Sequence, residues 1–105
     1  MLDVTALETA VERLADRLRA APQSKLRRGA AAEGLALARE LSARAQSIEF
    51  PDREPVPMPD AGVFVVADQL AVAGHDLAMA LRGAEVARLS DAVVLVKAAA
   101  ERCGL

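Results

Sequence analysis

Tryptophan and tyrosine are absent from this chain, phenylalanine occurs only as Phe50 and Phe64, and His75 and Cys103 are each alone of their kind. Each scarcity excludes some chemistry. One cysteine cannot close an intramolecular disulfide, which fits a reducing, cytoplasmic setting. One histidine beside one cysteine cannot build a thiolate–imidazole zinc site, and no Glu-x-x-His repeat is present for a carboxylate-bridged metal pair. Neither a P-loop nor a Gly-x-Gly-x-x-Gly turn occurs. Without tryptophan the chain also lacks the defining motif of the Trp-x-Gly helical-hairpin proteins of similar length. These absences predict a non-enzymatic protein with no cofactor and no metal.

Long hydrophobic runs are missing too. The longest, AGVFVVA, ends at Asp68 and Gln69, far short of a membrane span. The opening segment MLDVTALETA carries no basic region followed by an apolar stretch, so no signal peptide is expected. With a net charge of −2, nothing global draws the chain to nucleic acid or to an acidic membrane.

What is present is alanine, 24 residues of it, within a 53% hydrophobic composition. Alanine brings little area to bury, so the core has to be Leu, Val and Ala packed closely. A chain of 105 residues makes one domain and buries about two-thirds of its unfolded surface. Arginine outnumbers lysine 11 to 2, which with so much alanine suggests a GC-rich bacterial genome.

Apolar periodicity predicts four helices. Over residues 3–20, Val4, Leu7, Val11, Leu14 and Leu18 step by three and four, with Asp3 competing against the Thr5–Glu8 capping-box spacing. Pro22 ends that run. The second helix is expected from about Pro22–Ser24 to Ile48. It has a stripe of large residues (Leu26, Leu37, Leu41) beside a small one (Ala31, Gly34, Ala38). Gly29 and Gly34 each cost a helix about 1 kcal/mol, and close approach of another backbone would explain them. Prolines 51, 55, 57 and 59 make the next segment extended, a connector no helix can cross. Asp60 is the expected cap of the third helix, which runs to about Arg82 with a small stripe of Ala67, Ala71 and Gly74 that should face the small stripe of helix 2. Gly83 separates it from a fourth seam, Val86 to Cys103, two residues out of phase.

The expected fold is therefore all-α, an antiparallel up-down four-helix bundle with a proline-rich connector between helices 2 and 3. The runs VFVV and AVVLV have strand propensity and leave α+β as the competing reading, but both fit the helical seams on either side.

Three groups of residues merit attention as sites. His75 lies two turns from Asp68, about 10 Å along one face, and Asp76 points about 100° away. Together they form either the wet edge of a helix or the rim of a small-ligand pocket. Lys25, Arg27 and Arg28 oppose the dipole at the start of helix 2, so helix stability does not explain them. They are a solvated corner or a weak anion or DNA site. Val65, Val72 and Met79, one heptad apart, lie outside both seams of helix 3. Exposed, they would invite association. Either Phe50, Val56 and Met58 of the connector fold over them or a second chain does. The functional expectation is an interaction module, homodimeric or binding a protein partner. The alternative is a ligand-binding or regulatory bundle with a pocket near His75.

Overall fold

Helices alone carry the regular structure in a computed structural model that describes residues 1–105. They are α1 (Thr5–Ala20), α2 (Ala31–Glu49), α3 (Val66–Leu81) and α4 (Val86–Cys103). The two runs with strand propensity form no strand. AVVLV lies inside α4, and VFVV is a turn whose last valine begins α3. Hydrophobic period outweighs local propensity here because burying a face repays more than a backbone preference worth tenths of a kcal/mol.

The helix boundaries have local causes. Asp3 Oδ1 accepts the Thr5 N–H at 2.9 Å in a turn just ahead of α1, and Val4 stands at the N-cap position, so neither Asp3 nor Thr5 caps the helix. The Thr5 hydroxyl first, and then this N–H bond, hold the Asp3 carboxyl below the usual carboxylate range. Ala21 and Pro22 are extended (ψ 140° and 147°), as the residue before a proline and the proline itself prefer. A single helical turn, Gln23–Lys25, and a kinked stretch, Leu26–Ala30, then lead into α2. Gly29 within that stretch has φ 144° and ψ −18°, and nothing lies within 4 Å of where its Cβ would stand. It serves a backbone conformation that L side chains rarely adopt, not the close helix contact that its position suggested. Asp60 does not cap α3. Its carboxylate accepts the Gly62 N–H at 2.9 Å in a local turn, and the helix begins six residues later.

The direction of each helix follows from paired contacts. The Leu2 N–H donates to the Arg82 carbonyl, Val11 packs on Gly74 and Arg19 meets Asp68, so α1 and α3 are antiparallel. Gly34 lies against Val66, while Ile48 shares a groove with Leu77 and Leu81, so α2 and α3 run parallel. Ala30 and Glu33 meet Cys103 and Arg102, which makes α4 antiparallel to α2. The arrangement is up-down-down-up. The up-down expectation is thus corrected, and so is the expectation that all chain neighbours lie antiparallel. The closest packing joins α3 to α2 and then to α1, and α4 packs on α2 and α1, whereas α1 with α2 and α3 with α4, though consecutive in the chain, scarcely touch.

A parallel α2–α3 pair requires the chain to return the length of the bundle. Residues 50–65 do this without regular structure, and at about 3.3 Å per residue they easily span the ~28 Å of α2. The prolines leave this segment short of N–H donors, and helix side chains serve its backbone instead. Gln46 exchanges two hydrogen bonds with the Val56 backbone (2.8 and 3.0 Å). Arg39 Nε donates to the Met58 carbonyl (2.8 Å) and Gln69 Nε2 to that of Pro59 (2.9 Å). The connector is strapped back along α2.

One apolar core results, with Leu7, Leu14, Leu41, Leu70, Leu77, Leu81 and Val96 at its centre and no polar or charged residue buried. Gly34 and Gly74 do mark close approaches. A Cβ on Gly34 would stand 2.8 Å from Val66 Cγ1 and 3.0 Å from Leu18 Cδ1. One on Gly74 would stand 2.5 Å from Val11 Cγ1, so Gly74 receives α1, not the small stripe of α2 that the sequence pattern matched to it.

Candidate interaction face on the third helix

At 100° per residue, α3 turns Val66, Leu70, Ala73, Leu77 and Leu81 into the core between α1 and α2. Its opposite side therefore carries Val65, Val72 and Met79. These are 36%, 56% and 48% exposed. The connector does not cover them. Phe50 and Val56 are themselves exposed, and Met58 tucks against the core beside α2. Phe64, 69% exposed, stands just ahead of the same helix. An apolar stripe about 21 Å long thus faces outward.

Polar residues flank the stripe on both sides. On the α1 side, Asp68 accepts from Arg19 Nη2 at 2.9 Å, and Arg19 also reaches Asp16 at 3.2 Å. The hydrogen bond to Asp68 is the main reason that the Arg19 guanidinium is held charged above its ordinary range. His75 follows on this flank, exposed, bordering a shallow depression of about 110 Å³ with Glu8 and Glu12 of α1. Gln69 and Asp76 form the other flank. Gln69 is anchored to the connector, and Asp76 is exposed with no side-chain hydrogen bond.

Asp68, His75 and Asp76 do not enclose a common pocket. Asp68 belongs to an ion-pair network, and the depression beside His75 is well below the 300–1,000 Å³ of an ordinary ligand site. Lys25, Arg27 and Arg28 surround the bend ahead of α2, all exposed and without carboxylate partners within 4 Å. Turned to suit both groups, the Gln23 amide accepts from Arg27 at 2.7 and 2.8 Å. The cations of the preceding α1, Arg13, Arg17 and Arg19, part company in the fold. Arg19 is taken up by two aspartates, whereas Arg13 and Arg17 line a groove with Lys97 of α4. Sequence spacing could not reveal that grouping, because Lys97 arrives from 80 residues away.

Cys103 is buried, with Sγ donating to the Ala30 carbonyl at 3.7 Å. Burial, then the Glu33 charge, push its thiol above the ordinary range, which disfavours the reactive thiolate. No three His, Cys, Asp or Glu side chains converge as a metal site would require. No helix is long and apolar enough to cross a membrane. No protein-family model, curated protein or solved structure matches this chain.

Proposed function

We propose that this chain is a non-enzymatic interaction module that works as a homodimer joined through the outer faces of its α3 helices. The observation that carries this reading is the stripe of Val65, Val72 and Met79, left open to solvent by a connector long enough to have covered it. Contiguous exposed apolar side chains are unfavourable in water and favour association.

A second copy suits the flanks. In an antiparallel two-fold pair with Val72 on the axis, each flank meets its own copy in reverse. Asp68 lies four residues before Val72 and His75 three after it, so the two reach nearly the same level, within about 1.5 Å along the axis. Gln69 and Asp76 match in the same way on the other side. Each copy would thus offer an acceptor to the other's imidazole and a carboxylate to its amide, twice over. Val65 would meet Met79. His75 thereby gains a role that its own helix, offering no polar neighbour at i±3 or i±4, does not provide.

Light scattering on size-exclusion fractions tests this. The wild type should run as a dimer. Val72→Glu, on an exposed position, should give a folded monomer with unchanged helical circular dichroism. His75→Glu, facing Asp68, should weaken the dimer by about tenfold. A wild type that stays monomeric at millimolar concentration rejects self-association. A monomer that pairs through this face only with a different protein would retain the interaction module and reject the homodimer.

A further inference from the structure

Between α1 and α4 runs a groove of about 400 Å³, within the size range of small-molecule sites. Its floor is Leu14 and Val96, each 1% exposed. The groove exists because Ala10 and Ala100 line it, and two methyl groups do not fill the space between helices whose separation larger side chains set. Three cations from two helices stand along its rim: Arg13 and Arg17, one turn apart on α1, and Lys97 on α4. None of them has a carboxylate within 4 Å. Arg13 and Arg17 at i,i+4 repel and weaken an isolated helix, so α1 does not need them together. Glu101 is the one acidic side chain on the rim, and it makes no ion pair.

A second groove, about 310 Å³ between α2, α3 and α4, differs in charge. Its rim pairs Arg44 with Glu40 at 3.0 Å and carries one further charge of each sign, Arg88 and Asp91. Such a rim selects no sign of charge. The α1–α4 groove does.

We infer that the α1–α4 groove binds a small amphipathic anion, an aliphatic chain bearing one carboxylate. The chain lies on Leu14 and Val96 between the two alanines, and the carboxylate is held by Arg13 and Arg17, with Lys97 closing from α4. Arginine suits this task because its planar fork meets a carboxylate through two parallel hydrogen bonds. Apolar floor and cationic rim act together, so neither a bare anion nor a neutral chain should suffice. The site is separate from the α3 face, and its occupancy does not depend on dimerisation there.

Octanoate, octanol and inorganic phosphate are the probes, titrated into the intact protein and followed by calorimetry and by amide chemical shifts. Octanoate should bind saturably, shifting Ala10, Val96 and Ala100, at least about tenfold more tightly than octanol or phosphate. Arg13→Gln with Arg17→Gln should weaken octanoate by about tenfold or more, and Glu101→Gln should strengthen it. Ala100→Leu should abolish binding by filling the floor while every rim charge is kept. These positions are exposed or half-buried, and circular dichroism will show that each variant folds. Phosphate binding equal to octanoate would reduce the site to a plain anion patch and overturn the proposal. Equal binding of octanol would remove the role of charge, and absence of any binding would leave three solvated cations; either result also overturns it.

Discussion

Helices α3 and α4 look alike as sequence and behave differently as structure. Both carry apolar seams in steps of three and four, yet α3 buries eight of its 16 residues and α4 only four of 18. The difference lies in what faces each helix. Gly74 admits α1 to van der Waals contact with α3, and Gly34 of α2 admits Val66. Where α4 meets the same two helices, alanines line the contact and two grooves remain beside it. Glycine lets a neighbouring side chain reach the backbone; alanine holds it a methyl group away, and a gap follows unless something larger fills it. A seam in the sequence says which face a helix buries, not how completely.

Core truncations sharpen this comparison most. Leu70→Ala, at a fully buried position on α3, should lower unfolding free energy by about 3–4 kcal/mol, read from urea melts. Leu89→Ala on half-buried α4 should cost only about 1 kcal/mol, since much of that side chain already meets water. Equal losses would mean that the two helices are anchored alike.

Next come the contacts with α1. Gly74→Ala would place a methyl group 2.5 Å from Val11 Cγ1, and a helical valine cannot rotate away cheaply. Overpacking should outweigh the gain in helix propensity, for a net loss of about 2 kcal/mol. The opposite change beside α4, Ala100→Leu, should stay within about 0.5 kcal/mol, because the groove has room for it. A neutral Gly74→Ala would break the contrast between a closed and an open interface.

The gentlest test leaves the sequence alone. Cys103 near the end of α4 is buried and its thiol is held protonated, so alkylation in the native state requires local opening. Its rate should report an opening free energy below that of global unfolding, while the amides of Leu70 and Leu77 exchange only on global unfolding. Cys103 as well protected as α3 would show that α4 does not open separately.

The four helices and the breaks between them were legible in the residues because their causes are local. Pro22 cannot continue α1, four prolines bar residues 51–59 from helix, and Gly83 separates two seams that are out of phase, although α3 starts six residues after the expected Asp60 cap. The outward stripe of Val65, Val72 and Met79 was legible for the same reason, as a matter of angle around one helix. Gly29 misled, since a glycine needed for its φ and one needed for space look identical on paper. So did Gly74, whose small neighbours on α3 matched α2 as well as α1. Helix direction, the return of the connector along α2, and the meeting of Arg13 and Arg17 with Lys97 depend on which faces pack together across the whole chain. Periodicity specifies a buried face but names no partner, because apolar contact is non-directional and many pairings satisfy it. Only the simultaneous packing of all four helices, with the connector's carbonyls met by Gln46, Arg39 and Gln69, selects one arrangement.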